Sequence, residues 1–198
     1  MLSNPLYTKL SQLASYDVID KQTDIESSRN TDTVYIIGDS MVKHIKGRKL
    51  EKMLPTAKQT IVFPKSGATI ETINRITRSA VNDCPNQIIL HVGTNDLSSE
   101  NSPQQIAESL VRLATETTTD DTTVTISGIV PRGDKYASKA KLVNNRLKLL
   151  SNERNICLLL HDNINPSHHL NGSKLHLNKK GNNLVSRNFV DNITKFDD

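Results

Sequence analysis

The chain has 198 residues, an apolar fraction of 35% and a formal net charge of +4. This length allows one domain with a sizeable core and is short for two. No apolar run approaches the roughly 20 residues that span a bilayer, and no charged leader precedes a long apolar run. The sequence therefore predicts neither a transmembrane segment nor a signal peptide, and the expected location is cytoplasmic or otherwise intracellular.

The first residues differ in composition from the rest of the chain. Residues 1–32 are rich in Ser, Thr, Asp, Asn and Gln and predict a polar, mobile leader, so the folded domain is expected over 33–198. Within that domain, short apolar runs rich in β-branched residues predict strands. The runs are continuous rather than alternating, which is typical of parallel strands covered on both faces. They span residues 34–37, 61–63, 88–92, 124–126 and 156–160.

Segments between and after these runs have apolar residues at helical spacing. Pro103 directly after Ser102 is typical of a helix start. A helix is also expected over 41–54, although Gly47 weakens it. Strand and helix alternate five times, which predicts a three-layer α/β/α sandwich around a five-stranded parallel sheet with right-handed crossovers. The other predicted helices lie at about 70–80, 106–114, 140–150 and 185–193.

Small, polar and reactive residues follow each predicted strand. In a parallel sheet these positions share one edge, where ligands bind. A serine hydroxyl such as that of Ser40 needs a base within hydrogen-bond reach, and His176 supplies an imidazole, the side chain that most often serves as this base. An oxyanion needs donors fixed in advance, and Gly67 and Asn95 offer a backbone N–H and a side-chain amide. The plainer alternatives are a helix cap for Ser40 and a turn residue for Asn95.

Four blocks in this order resemble the SGNH (GDSL-type) hydrolase family over about residues 33 to 195: Gly38-Asp39-Ser40, Gly67, Gly93-Thr94-Asn95-Asp96 and His176. The resemblance implies a flavodoxin-like fold and an esterase, lipase or acetylesterase that acts on a small-molecule or lipid ester. It implies Ser40 as nucleophile, His176 as base, and oxyanion donors from the backbone of Ser40 and Gly67 and the side chain of Asn95. No metal or organic cofactor is expected.

Two further comparisons refine this resemblance. The chain has no Gly-x-Ser-x-Gly elbow, which argues against the α/β-hydrolase fold. The sequences of residues 91–97 and 175–178 also resemble those of the esterase-like domains encoded by some animal retroelements.

The sequence departs from the family at the position three residues before His176. The family usually has an acid there, and this chain has Ser173. Three interpretations stay open: a backbone carbonyl orients the imidazole, Asp162 reaches it, or the site is weakened. The departure and the positive net charge support a second hypothesis, an SGNH-like domain with lowered or lost catalysis that binds RNA or another polyanion.

The remaining histidines do not match a metal motif. His161, His168 and His169 are predicted to be solvated loop residues because their spacing fits no common ligand pattern. His91 lies inside a strand and is expected to be a core residue with a hydrogen-bond partner.

Overall fold

The computed structural model describes residues 32–196, so the leader predicted for residues 1–32 lies outside the described residues except for Asp32. The domain is built on a single five-stranded sheet in the order β2-β1-β3-β4-β5, and every pairing is parallel. This order is the flavodoxin-like one and confirms the predicted parallel sheet. The strands are β1 (Thr33–Gly38), β2 (Gln59–Pro64), β3 (Gln87–His91), β4 (Thr123–Ser127) and β5 (Cys157–Leu159).

Six α-helices and short 3₁₀ turns connect the described strands and follow the last of them. The α-helices are α1 (Gly47–Glu51), α2 (Ile70–Ala80), α3 (Pro103–Thr117), α4 (Ala137–Arg154), α5 (Pro166–His169) and α6 (Lys179–Ile193). The 3₁₀ turns span Ser40–Val42, Val81–Asp83, Asp96–Ser98 and Thr194–Phe196.

Helix α3 begins where the sequence predicts. The Ser102 hydroxyl accepts the Gln105 N–H at 3.2 Å, and the Gln105 side chain accepts the Ser102 N–H at 2.8 Å. This reciprocal pair satisfies two donors that the first turn would otherwise leave free. Pro103 follows the cap at a position where its missing N–H costs no hydrogen bond.

Helices cover both faces of the sheet, so the predicted three-layer sandwich is confirmed. Along β1, Tyr35 and Ile37 contribute to the core beneath α2, α3 and α4, and Val34 and Ile36 to the core beneath α1 and α6. These four side chains are at most 1% exposed. Burial of alternate residues on opposite faces explains why the run is continuously apolar. Within residues 32–196, no helix combines the length and apolar character needed to cross a bilayer.

The single helix predicted over 41–54 is wrong. The 3₁₀ turn Ser40–Val42 comes first, and α1 begins only at Gly47 and has five residues. A Cβ at Gly47 would lie 2.0 Å from the Thr60 carbonyl oxygen of β2. The chain thus passes β2 too closely for any side chain, and the first crossover is divided at this approach.

Because a β-carbon at position 47 would collide with backbone, Gly47→Ala is expected to destabilise the fold by about 1–3 kcal/mol. Urea unfolding should show a lower midpoint at an unchanged slope. Gly172→Ala is the matched control, since an added Cβ there meets nothing within 4 Å. Equal midpoints for the two variants would contradict the close approach.

Candidate active site

Ser40 lies at the carboxyl edge of the sheet. It is two residues beyond the end of β1 at Gly38, with Asp39 between them. The Asp39 N–H donates to the His91 carbonyl at 3.1 Å, which continues the pairing of β1 with β3. The Asp39 carboxylate then caps the 3₁₀ turn by accepting the Met41 N–H at 2.9 Å. Ser40 is therefore held at a sharp change of chain direction and remains partly exposed.

The imidazole that faces Ser40 comes from the far end of the chain. Ser40 Oγ lies 3.2 Å from Nε2 of His176. The loop carrying His176 is fixed by a bridge between Leu170 and Leu177 and by the Asn171 N–H, which donates to the His176 carbonyl at 2.8 Å. Two side chains separated by 136 residues in sequence thus meet at hydrogen-bond distance.

Neither of the expected orienting residues contacts His176. The Ser173 hydroxyl donates to Asn171 Oδ1 at 2.5 Å. Asp162 is exposed, and one of its oxygens lies 3.3 Å from the Lys148 ammonium group. In the part of the chain that the structure describes, no carboxylate hydrogen-bonds His176. The loop hydrogen bonds fix the backbone of His176, and among the described residues Ser40 is the hydrogen-bond partner of its imidazole.

Gly67 and Asn95 lie in the loops that follow β2 and β3. Gly67 has φ +75°, a left-handed conformation that favours glycine, although a Cβ there would meet nothing within 4 Å. Glycine is thus explained by backbone conformation rather than by space. Asn95 Nδ2 donates to the Ala68 carbonyl at 2.8 Å. This bond ties the Asn95 loop to the segment that contains Gly67.

The carboxyl group of Asp39 is fully buried beneath Ser40. Burial raises its pKa to about 7, and the nearby charge of Asp96 acts in the same direction. The Met41 N–H and the Arg132 guanidinium oppose this shift. Through its hydrogen bond to the Met41 N–H, Asp39 supports the turn that carries Ser40.

Two charged residues brace the loop after β3. Asp96 accepts the Ile70 N–H at the start of α2 with both oxygens, at 3.3 and 3.2 Å. Arg132 is buried, donates to the Thr94 carbonyl at 3.1 Å and pairs closely with Asp134. No role is predicted for Arg132 from the sequence, although its place in the loop after β4, at the same edge of the sheet, is a signal that could have identified it.

A buried hydrogen-bonded chain lies below this edge of the sheet. The Ser127 hydroxyl lies 2.8 Å from both His91 Nδ1 and His161 Nε2, and His161 Nδ1 lies 2.9 Å from the Asn188 amide. His91 is a core residue with a partner, as predicted. The prediction of a solvated His161 is wrong: it is 1% exposed, and its ring contacts that of Phe189. Helix α6 folds back over the residues after β5 and covers it.

The other two histidines stay near the surface. His168 is exposed, and His169 is half-buried and accepts the Asn165 N–H at 2.8 Å. Among residues 32–196, no three His, Cys, Asp or Glu side chains form a group that could hold a metal ion.

Acid is expected to destabilise the fold through His91 and His161. Burial lowers the pKa of His91 to about 4 and that of His161 to about 3, and the neighbouring His91 also lowers the latter. Below pH 6.5 the unfolded chain therefore binds more protons. Each histidine should remove about 1.4 kcal/mol of unfolding free energy per pH unit until its folded pKa is reached.

Urea unfolding at several pH values measures this effect. Compared with the wild type, His91→Gln should show a shallower dependence of the unfolding free energy on pH between 6.5 and 4. Asp39 acts in the opposite sense. Because its pKa is raised from 3.8 to about 7 in the folded chain, the stability that its protonated form contributes is lost as the pH rises through this range. Its contribution cancels when variant and wild type are compared. An unchanged slope in His91→Gln would contradict the buried-histidine account.

Comparison with known proteins gives structural matches alone. No family model matches the chain, and no curated protein matches its sequence. A GDSL-like lipase from Bacteroides thetaiotaomicron superposes with TM-score 0.71 at 14% identity, over 96% of this chain and 97% of that one. The psychrotrophic esterase EstA from Pseudoalteromonas, in a structure inhibited by monoethylphosphonate, superposes with TM-score 0.67 at 18% identity, over 83% of this chain and 98% of that one.

A third solved structure extends the same pattern. A catalytic mutant of the acetylxylan esterase Axe2 from Geobacillus stearothermophilus gives TM-score 0.66 at 15% identity, over 82% of this chain and 94% of that one. Identities this low establish architecture rather than activity. The narrower resemblance to retroelement domains stays a prediction. With its parallel sheet in the order 2-1-3-4-5 and helices on both faces, the chain has the α/β/α fold of the SGNH (GDSL-type) hydrolases.

Proposed function

We propose that this chain is a serine ester hydrolase in which Ser40 is the nucleophile and His176 its base. The observation that carries the proposal is the 3.2 Å separation of Ser40 Oγ and His176 Nε2 at the carboxyl edge of the sheet. A serine hydroxyl becomes a useful nucleophile when a base lies this close. The structural likeness to a lipase and two esterases supports the same class of reaction on a small-molecule or lipid ester.

Acylation begins when Ser40 Oγ attacks the ester carbonyl carbon and its proton passes to His176 Nε2. The oxyanion that forms would accept the N–H groups of Ser40 and Gly67 and one hydrogen of the Asn95 amide. That amide carries two hydrogens, and the bond to Ala68 uses one of them. The second is therefore free for the oxyanion. When the tetrahedral intermediate collapses, the imidazolium returns its proton to the departing alcohol and the acyl-enzyme remains.

Deacylation repeats these steps with water. His176 removes a proton from the water, whose oxygen attacks the acyl carbon; collapse then releases the acid and returns the proton to Ser40 Oγ. The imidazolium that forms twice per cycle has no carboxylate partner among the described residues. A charged partner of this kind stabilises the imidazolium in other serine hydrolases, so we expect a modest turnover rate.

The missing carboxylate also favours a second candidate function. A domain with lowered catalysis could use the same fold to bind RNA or another polyanion, which agrees with the net charge of +4. Salt separates the two candidates. Binding to a polyanion weakens steeply as salt rises because counterions are released, whereas hydrolysis of a neutral ester should change little.

Reaction with a fluorophosphonate probe tests the proposal directly. Ser40 Oγ would displace fluoride from phosphorus, so intact mass should show one adduct per chain and peptide mapping should assign it to Ser40. The heat-unfolded protein is the control and should not react. Absence of an adduct on the folded protein would rule out an activated serine and favour the binding function.

A further inference from the structure

Basic side chains are concentrated on the two helices that cover one side of the sheet. Residues 43–53 and 178–196 contain nine Lys and Arg residues but only two acidic ones, Glu51 and Asp191. This surplus of seven exceeds the net charge of +4 for the whole chain, so the remainder is acidic overall. All nine are exposed, and we call their surface the basic face: Lys43, Lys46, Arg48, Lys49, Lys52, Lys179, Lys180, Arg187 and Lys195.

The two segments form one continuous surface. Lys49 Nζ donates to Asn183 Oδ1 at 2.6 Å, which joins α1 to α6. Leu50 of α1 and Phe189 of α6 are buried in the same core on this side of the sheet. Among the described residues, none of the nine basic side chains forms an ion pair, while Glu51 is engaged with the Thr60 N–H at 2.9 Å. The positive charge of the basic face is therefore not neutralised within the domain.

The basic face borders the candidate active site. Lys43 follows Ser40 by three residues, and Lys179 follows His176 by three. Consecutive Cα atoms are 3.8 Å apart, so each lysine Cα lies within about 11 Å of the Cα of its partner in the site. An anionic surface that contacts the basic face would therefore approach the Ser40 hydroxyl.

Exposed apolar side chains at the ends of these helices indicate what kind of anionic surface fits. Met53 follows α1 and is 37% exposed, and Phe196 follows α6 and is 39% exposed. Lysines around a few exposed apolar side chains are typical of elements that lie on anionic lipid bilayers. Nucleic acid is favoured by several exposed aromatic rings for base stacking, and within residues 32–196 Phe196 alone is an exposed aromatic residue.

We propose that the basic face binds the surface of an anionic phospholipid membrane and brings Ser40 next to the esters of its lipids. The binding step depends only on the charges and apolar side chains of α1 and α6. The choice of lipid esters as substrates rests in addition on the proposed hydrolase function.

Vesicle binding by the full chain with Ser40→Ala tests the binding step without hydrolysis. Sedimentation with phosphatidylcholine vesicles, with and without phosphatidylserine, should show binding only when phosphatidylserine is present and loss of that binding at high salt. The triple variant Lys46→Glu, Lys52→Glu and Lys180→Glu should bind at least about 100-fold more weakly, since each basic residue near an anionic bilayer contributes substantially.

The matched control lies on the opposite side of the sheet, on α4, which also exposes apolar side chains at Leu142 and Leu149 beside its basic residues. It reverses three exposed charges there: Lys141→Glu, Arg146→Glu and Arg154→Glu. This variant has the same net charge as the first and should keep its vesicle binding within a few-fold. Equal losses in both triple variants would overturn the assignment to the basic face. Equal binding to both kinds of vesicle would overturn the lipid assignment.

A single-stranded RNA oligonucleotide distinguishes the other polyanion. RNA binding that the first triple variant loses, without any vesicle binding, would overturn the lipid proposal in favour of nucleic acid. Fluorophosphonate labelling of the chain that retains both Ser40 and the basic face reports on the proposed hydrolase function separately. If this chain is labelled but Ser40→Ala does not bind phosphatidylserine vesicles, the membrane inference alone is wrong. If Ser40→Ala binds the vesicles but the chain with Ser40 is not labelled, the hydrolase proposal alone is wrong.

Discussion

Replacement of Ser40 by alanine is expected to abolish ester hydrolysis and fluorophosphonate labelling together. The substitution removes the oxygen that lies 3.2 Å from His176 Nε2. Loss of a nucleophile in a serine hydrolase lowers kcat by about 10⁴-fold or more. Hydrolysis of a chromogenic acetate or butyrate ester, followed under saturating conditions, measures the effect.

Ser66→Ala is the matched control for this substitution. Ser66 is an exposed serine in the loop that also contains Gly67, so its hydroxyl tests whether any serine near the site supports activity. We expect wild-type rates in Ser66→Ala and unchanged thermal unfolding in both variants. Retention of full activity by Ser40→Ala would exclude the proposed nucleophile.

Replacement of His176 by alanine should have an effect of similar size. Among residues 32–196, His176 is the side chain that hydrogen-bonds the Ser40 hydroxyl. Loss of the base costs about as much as loss of the nucleophile because the two act as a unit. We expect a fall in kcat of about 10⁴-fold, with little change in the binding of a non-hydrolysable ester analogue.

Ser173→Ala separates the base from its expected orienting position. The Ser173 hydroxyl bonds to Asn171 and not to His176, so its loss should change kcat by less than about tenfold. If Ser173→Ala were as damaging as His176→Ala, the hydroxyl would have to reach the imidazole during turnover, and the loop geometry described above would be wrong for the active state.

The architecture could be predicted because its signal is local and repeated. Continuous β-branched runs such as the one in β1 indicate burial on both faces, and Pro103 after Ser102 indicates the start of a helix. Because parallel strands deliver the residues that follow them to one edge, Ser40 could be recognised as a candidate. The choice of His176 among the histidines that follow β5 also depended on the resemblance to the SGNH hydrolases. These inferences needed no knowledge of side-chain packing.

The features that the sequence did not reveal depend on contacts between distant segments. His161 stands in a polar stretch, and its burial is decided by Phe189 of α6. The break before α1 is decided by the approach of Gly47 to Thr60 of a neighbouring strand. Asp162 is a plausible partner for His176 by composition, yet its side chain is held by Lys148. Periodicity within one segment carries no information on any of these contacts.

The distance along the chain between Ser40 and His176 has a consequence for biosynthesis. Ser40, the proposed nucleophile, is synthesised just after β1, whereas His176, its proposed base, is synthesised just before α6. A nascent chain therefore carries an inert serine until α6 docks on Leu50 and its neighbours. Partial opening of the C-terminal segment should likewise abolish the proposed ester hydrolysis before the sheet unfolds. Ester hydrolysis would then report that the chain from β1 through α6 is folded, and a copy that lacks α6 should not hydrolyse esters.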